Sequence, residues 1–161
     1  METIYAFPPV VDDACRTLIL GTAPSARSLR EGFYYAHPRN AFWRLLADIY
    51  ACPQPHTQEQ KRALLLQKGI ALWDVLSACA RKGSLDAAIR EPQPNDFRAF
   101  FERYPSIERV LFNGSAAHAL FFRLCGEQMG ARRFARLAST SPAYTLAYAQ
   151  KLAVWRKELL T

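Results

Sequence analysis

Residues 17 to 43 have the sequence TLILGTAPSARSLREGFYYAHPRNAFW. The first four, Thr17 to Leu20, are β-branched or apolar, which favours a short buried strand. Gly21 and Pro24 follow, and neither extends a central strand, because proline lacks an N–H group and glycine loosens the backbone. We therefore expect the strand to end in a shaped loop.

The rest of this segment places aromatic and polar residues between the strand and an apolar helix. Phe33, Tyr34 and Tyr35 are consecutive, the sequence His37-Pro38-Arg39-Asn40 follows, and apolar residues then recur from Phe42 with helical spacing. An α/β protein binds ligands in loops that leave a buried strand. This loop is therefore the first candidate for a binding site.

The whole chain alternates strand-like and helical patterns, which predicts an α/β fold with a mainly parallel, four-stranded central sheet and helices on both faces. Residues 77–94 are expected to be a connection with a short helical piece at 85–89. The first dozen residues are expected to be extended without forming an element. The predicted strands are 17–20, 70–76, 109–112 and 134–138. The first predicted helix runs from Phe42 to near Tyr50, and three others span 58–68, 115–124 and 148–159. A further helix is capped by Asn95 or Asp96 and ends at Pro105.

Size and charge limit the possible functions. A chain of 161 residues, half of them apolar, suits a single domain spanning residues 1–161. The absence of a signal-like or membrane-length apolar run predicts a soluble, cytoplasmic protein. The net charge of +7, with sixteen Arg and five Lys, favours a nucleic acid or phosphorylated partner, since arginine contacts phosphate bidentately; a merely basic soluble protein is the alternative.

The cysteine pattern argues against metal chemistry. Cys15, Cys52, Cys79 and Cys125 are far apart and include no CxxC pair. With no export signal in the chain, we interpret them as reduced, partly buried thiols. We expect no metal site.

Loops at the carboxyl ends of parallel strands share one edge of the sheet. The loop from Thr22 to Asn40, then Asn113, then residues 139–143 follow the first, third and fourth predicted strands. We therefore expect these three regions to converge on one site. Asp74, a polar residue within the second predicted strand, either bonds a nearby backbone group or helps to line this cleft.

Two asparagines are the strongest candidates for residues that act in catalysis or base recognition. Asn40 stands directly before a helix pattern, where it is a favoured N-cap, and its carbonyl could also orient a water molecule. Asn113 is by default a turn residue. Its amide, however, offers a donor beside an acceptor, which matches the paired C=O and N–H groups on the Watson–Crick edge of hypoxanthine or uracil. Adenine and cytosine present a different arrangement of donors and acceptors on that edge.

The other candidates have equally ordinary alternatives. One ring of Phe33, Tyr34 and Tyr35 could stack on an extruded base, or all three could pack in the core. His37 precedes a proline and could face the loop's concavity, or be a hydrogen-bonded loop histidine. The Ser139-Thr140-Ser141-Pro142 turn could cap a helix or bind phosphate.

Four segments, in this order, resemble the uracil-DNA glycosylase superfamily and most closely its hypoxanthine-DNA glycosylase branch: LILGTAPS, FYYAHPRNAFWR, VLFNGSAAH and LASTSPA. The resemblance implies a three-layer α/β/α sandwich that removes a deaminated base from DNA by cleaving the N-glycosidic bond, without a metal or organic cofactor. Asn40 would position water and Asn113 would contact the base edge. The remaining residues that the resemblance singles out are Gly21, Thr22, Ala23, Pro24 and Ser25 for base and sugar, one of residues 33–35 for stacking, and Arg39 with Ser139, Thr140, Ser141, Pro142 and Ala143 for DNA.

The chain also departs from this family's pattern. Many members carry a catalytic Asp or Asn in the first motif, where this chain has Thr22 and Ala23, and a His opening the last motif, where it has Ser139. Catalysis would then depend on Asn40, with help from His37. We expect a monomeric hypoxanthine-DNA glycosylase; the alternatives are uracil excision or a non-catalytic DNA-binding module with the same fold.

Overall fold

The computed structural model describes residues 2–161, which form two sheets. The strands are β1 (Glu2–Tyr5), β2 (Thr17–Gly21), β3 (Ile70–Asp74), β4 (Leu76–Arg81), β5 (Arg90–Pro94), β6 (Arg109–Asn113) and β7 (Arg133–Leu137). A parallel sheet has the order β3-β2-β6-β7, and a smaller antiparallel sheet has the order β1-β4-β5. The predicted four-stranded parallel sheet is confirmed.

Helices cover both faces of the parallel sheet. Along β2, Leu18 and Leu20 face one hydrophobic cluster while Ile19 faces the other, as the two-residue period of a strand requires. The helices are α1 (Ala26–Glu31), α2 (Phe42–Ile49), α3 (Gln58–Gln67), α4 (Phe97–Arg103), α5 (Ser115–Cys125) and α6 (Tyr148–Leu159). The first cluster includes residues of α4 and α5, and the second includes residues of α2, α3 and α6. The α/β/α sandwich predicted from the resemblance is therefore confirmed.

The antiparallel sheet corrects two expectations. The first residues do form an element, since β1 pairs with β4, and residues 77–94 are largely strand rather than connection. The prolines of β5 obscured it: Pro94 lies on an edge strand, where a missing N–H group is tolerated. The predicted helical piece is present as a 3₁₀ turn, Asp86–Ala88.

The segment after β2 contains a helix that the sequence pattern did not reveal. Ser25 caps α1 by accepting a hydrogen bond from the Ser28 N–H group at 3.1 Å, and Gly32 ends it with a left-handed φ of 76°. Six residues are too few to show a helical period in the sequence. None of the helices within residues 2–161 is both long and apolar enough to cross a bilayer.

Candidate active site

A cavity of about 390 Å³ opens at the carboxyl ends of β2, β3 and β6, which is within the roughly 300–1,000 Å³ range of small-molecule sites. Its lining comes from residues 21–28 and Arg30, from Tyr34, Tyr35, His37 and Asn40, from Asp74, Asn113 and the 139–143 loop, and from residues 84–86 of the β4–β5 connection. The predicted convergence of the three loop regions is confirmed. The cavity is where the topology of a parallel sheet favours a ligand site.

The floor of the cavity consists of Gly21, Tyr35 and Asp74. A Cβ atom placed on Gly21 would lie 2.7 Å from Asp74 Oδ1 and 2.8 Å from the Tyr35 hydroxyl. Only glycine at this position therefore leaves both oxygens where they are. Asp74 Oδ2 and the Tyr35 hydroxyl are buried without a hydrogen-bond partner.

Asp74 is the most perturbed acid in the cavity. Burial, followed by the nearby negative charge of Asp86, raises the pKa of its carboxyl group from 3.8 to about 7, while Arg81 opposes the shift. The Asn95 amide donates to the backbone carbonyl of Asp74 at 2.8 Å and leaves the carboxyl group free. Of the two roles that the sequence allowed for Asp74, lining the cleft is the one that the structure supports.

The three consecutive aromatic residues have different environments. Phe33 does not line the cavity. It packs in the core, stacked on Trp43 with the ring centroids 6.1 Å apart, so we remove Phe33 from the residues expected to bind the base. The Tyr34 hydroxyl donates to the Pro8 carbonyl at 2.8 Å, which fixes that side chain in the core. Tyr35 alone has a positive φ, 51°, and its hydroxyl is unpaired, so its ring is the stacking candidate.

Asn113 and Thr140 form one wall of the cavity, and Ala41, which is outside the lining, supports it. Both ends of the Asn113 carboxamide bind Thr140: Oδ1 accepts from the Thr140 N–H group and Nδ2 donates to its hydroxyl, each at 2.9 Å. The Thr140 carbonyl in turn accepts from the Ala41 N–H group at 3.0 Å. Asn113 therefore holds the 139–143 loop against the start of α2, and one donor and one acceptor position of the carboxamide expected to meet a base edge are occupied.

Asn40 and His37 lie at the partly exposed mouth of the cavity. The N-cap of α2 is Ala41 rather than Asn40, which corrects that expectation. Asn40 Oδ1 accepts from the Phe42 N–H group at 3.0 Å in a turn just before the helix, so its carboxamide is held in one orientation. His37 Nδ1 accepts from the Arg39 N–H group at 3.1 Å. In the neutral ring the proton is then on Nε2, which makes His37 a donor on its free side. Arg39 itself is exposed and lies outside the lining.

The loop after β2 is anchored by the β4–β5 region. The Thr22 hydroxyl donates to Asp86 Oδ1 at 2.6 Å, and the Arg81 guanidinium donates to the Pro24 carbonyl. These contacts join residues about 60 positions apart in the chain, and no local sequence signal indicates them. Residues 84–86 are therefore part of the lining that sequence reasoning missed.

The 139–143 loop is braced by its own side chains and by α6. Ser139 Oγ and Ser141 Oγ each accept a backbone N–H group two residues ahead, at 3.2 Å. Lys151 of α6 is 5 % exposed, and its ammonium group donates to the Ser141 carbonyl at 3.0 Å. Gly114 allows the close approach of this loop, since a Cβ atom there would lie 3.0 Å from Ser139 Cβ and its φ is 98°.

Two exposed arginines of α1, Arg27 and Arg30, also line the cavity and were not singled out from the sequence. Arg27 is ion-paired with Glu31 at 3.4 Å across one helical turn. Their position brings positive charge to the mouth. Within residues 2–161, no group of three His, Cys, Asp or Glu side chains is arranged to hold a metal ion.

Comparison with known proteins gives a consistent result. Residues 8–160 match the model of the uracil DNA glycosylase superfamily. The chain is 40 % identical over 109 residues to a hypoxanthine DNA glycosylase of Methanosarcina barkeri, covering 67 % of this chain and 69 % of that protein. It is also 40 % identical over 112 residues to a hypoxanthine DNA glycosylase of Methanosarcina acetivorans, covering 69 % and 71 % respectively.

The fold has a solved counterpart. A solution NMR structure from Methanosarcina acetivorans, described as a candidate uracil DNA glycosylase, superimposes with a TM-score of 0.84 at 32 % identity. The match covers 98 % of this chain and 97 % of that one. The similarity therefore extends over the parallel sheet, the antiparallel sheet and the loops that line the cavity.

Proposed function

Because the chain belongs to the uracil DNA glycosylase superfamily, we propose that it is a monofunctional glycosylase that releases hypoxanthine from deoxyinosine in DNA. Its curated relatives carry the name hypoxanthine DNA glycosylase, which supports this base over uracil. The observation that carries the proposal is the cavity itself: a ring, two unpaired polar groups and an oriented carboxamide line one hollow at the edge of the sheet. We propose that it acts as a monomer.

The base would occupy the cavity after rotating out of the duplex. Phe42 packs against the Tyr35 ring, with centroids 4.3 Å apart, so one side of that ring is supported. The ring's other side would then stack on the purine. Backbone and side chains of residues 21–25 would line the sugar.

The sugar would lie at the mouth, beside Asn40. Cleavage breaks the bond between C1′ and N9, and the base leaves with the bonding electron pair while positive charge develops on the sugar. Asn40 would hold the attacking water through its free carboxamide valences, since its Oδ1 is already oriented by the Phe42 N–H group. The water oxygen bonds to C1′ and its proton passes to the departing base, which gives an abasic site and free hypoxanthine.

The DNA backbone would be held by groups around the mouth. Arg27, Arg30 and Arg39 are exposed there or nearby, and arginine contacts phosphate through two N–H groups. His37 would add a donor through Nε2. The braced 139–143 loop would follow the minor groove, where its backbone N–H groups and hydroxyls meet phosphate and sugar.

The test is a single-turnover assay on duplex DNA that contains one deoxyinosine, with the released base identified by mass spectrometry. We expect hypoxanthine and an abasic site from the wild type, and a rate about 100- to 1,000-fold lower from Asn40→Ala, as for other oriented polar groups that act at a transition state. Gln67→Ala, an exposed change on α3, is the control and keeps the wild-type rate.

Each result decides a different point. Equal rates for the wild type and Asn40→Ala would remove Asn40 from the reaction. Release of uracil but not hypoxanthine, from matched duplexes, would shift the assignment to uracil. Salt-dependent DNA binding without release of any base would favour a binding module.

A further inference from the structure

The cavity contains a polar group to which the sequence pattern gave no catalytic role. Asp74 is 3 % exposed and lines the cavity, and its Oδ2 atom has no hydrogen-bond partner. A buried polar atom without a partner lowers stability, because it has lost water and gained nothing in return. Such a group is expected where a ligand supplies the missing bond.

The other candidate for this role, Asn113, is already partly engaged. It binds Thr140 through one N–H of Nδ2 and one lone pair of Oδ1, each at 2.9 Å, so half of the hydrogen-bonding capacity of its carboxamide is used within the protein. Asp74 has its carboxyl group free, and the unpaired Tyr35 hydroxyl lies beside it on the floor. The polar groups of the lining that have no partner in the protein are therefore on the floor rather than on the wall.

The shape of a purine nucleotide decides which edge reaches the floor. The sugar is attached at N9 and stays near the mouth, so the six-membered ring enters first. Its far edge carries the O6 acceptor and the N1–H donor of hypoxanthine. We propose that the protonated carboxyl group of Asp74 contacts this edge, donating to O6 and accepting from N1–H; the inference rests on the proposed function.

This contact would also assist the reaction. The base departs with the electron pair of the C1′–N9 bond, and part of the negative charge passes to O6. A hydrogen bond donated to O6 stabilises that charge as it forms. An ionised carboxylate would instead place a second negative charge against O6.

The protonation state of Asp74 is set by its surroundings. Burial and the Asp86 charge raise the pKa to about 7, and Arg81 of β4 opposes them. Other titratable groups in its surroundings are the Tyr34 and Tyr35 hydroxyls and the Cys79 thiol. The pKa values of all three are raised above their ordinary range, and burial is the main cause. These three groups are neutral near pH 7, so Asp74 is the group expected to change charge there.

The test compares pH profiles of single-turnover hypoxanthine release by the wild type, Asp74→Asn and Asp74→Leu. The wild-type rate is expected to fall about tenfold per pH unit above about pH 7, because only the protonated form supports release. Asp74→Asn keeps a donor and an acceptor without ionising, so its profile should be flat across this range. Asp74→Leu removes both and should lower the rate about 100-fold at pH 6.

Controls separate this inference from the proposed function. Asp13→Asn removes an exposed carboxylate that pairs with Arg103 and should leave rate and profile unchanged. Thermal unfolding shows whether each variant is folded. If the wild type releases hypoxanthine and Asp74→Asn keeps the same alkaline decline, or folded Asp74→Leu keeps the wild-type rate, the inference about Asp74 fails alone. If the wild type releases no hypoxanthine at any pH, the proposed function fails.

Discussion

The wall and the floor of the cavity are both polar and buried, but they are bonded differently. On the wall, Asn113 and Thr140 are joined by two hydrogen bonds of 2.9 Å, and the Thr140 carbonyl accepts a third from the Ala41 N–H group. On the floor, Asp74 Oδ2 and the Tyr35 hydroxyl have no partner. Satisfied groups hold a structure in place, whereas unsatisfied ones reduce stability and are retained where a ligand completes them. We therefore propose that the wall acts mainly as scaffold and that the floor contacts the bound base.

The largest effect on stability is expected at the wall. Asn113→Ala removes the partner of the Thr140 N–H group and of the Thr140 hydroxyl, and both are left buried. Each unsatisfied group costs about 1–3 kcal/mol, so the free energy of unfolding should fall by roughly 3 kcal/mol in urea titrations.

A conservative change at the same contact provides the control for Asn113→Ala. Thr140→Ser keeps both groups that bind Asn113 and should change stability by less than about 1 kcal/mol. A comparable loss in the two variants would mean that the methyl group of Thr140, rather than its hydrogen bonds, stabilises the wall.

A change at the floor should act in the opposite direction. The folded-state pKa of Asp74 is raised from 3.8 to about 7, so its protonated form stabilises the fold below pH 4, and this stability is lost as pH rises to about 7. Asp74→Asn does not ionise. The stability of Asp74→Asn relative to the wild type should therefore rise between pH 4 and about 7, by an amount on the order of a few kcal/mol. Above about pH 7 this difference should stay nearly constant.

Thermal and urea unfolding of the wild type and Asp74→Asn at several pH values measures this gain. Asp13→Asn, at an exposed ion pair, should follow the wild type within about 0.5 kcal/mol at every pH. A difference between Asp74→Asn and the wild type that does not vary with pH would show that folding does not raise the pKa of Asp74.

The smallest effect is expected at the support of the wall. Lys151→Met removes the hydrogen bond to the Ser141 carbonyl, which should lower stability by about 1 kcal/mol. The 139–143 loop would be held less firmly, so KM for duplex DNA should rise more than kcat falls. Lys157→Met, an exposed change on the same helix with the same loss of charge, is the control; equal KM increases in both would indicate a general charge effect.

The parallel sheet could be predicted because its strands are short apolar runs bounded by loops. Thr17 to Leu20 and Arg109 to Phe112 are visible in the sequence without any tertiary information. The antiparallel sheet could not, because β5 is exposed, contains prolines and is a strand only through its pairing with β4. Pairing of this kind depends on distant residues.

The site was predicted to the level of loops but not of individual groups. Three adjacent rings are equivalent in the sequence, and the positive φ of Tyr35 distinguishes it from Phe33 and Tyr34. The sequence favoured Asn113 over Asp74 as the group that contacts the base. In the structure Asn113 is bonded to Thr140, and those bonds depend on how the 139–143 loop folds back. Side-chain hydrogen bonding between residues 27 positions apart has no local signature.

The most direct measurement is a crystal structure of the protein bound to duplex DNA that carries a 2′-fluorinated deoxyinosine, in which electron withdrawal slows cleavage. We expect the hypoxanthine ring to lie in the cavity, with O6 and N1 within about 3 Å of the Asp74 carboxyl oxygens and with the Asn113–Thr140 hydrogen bonds intact. A base edge bound to Asn113 with those bonds broken, or a base outside the cavity, would contradict it.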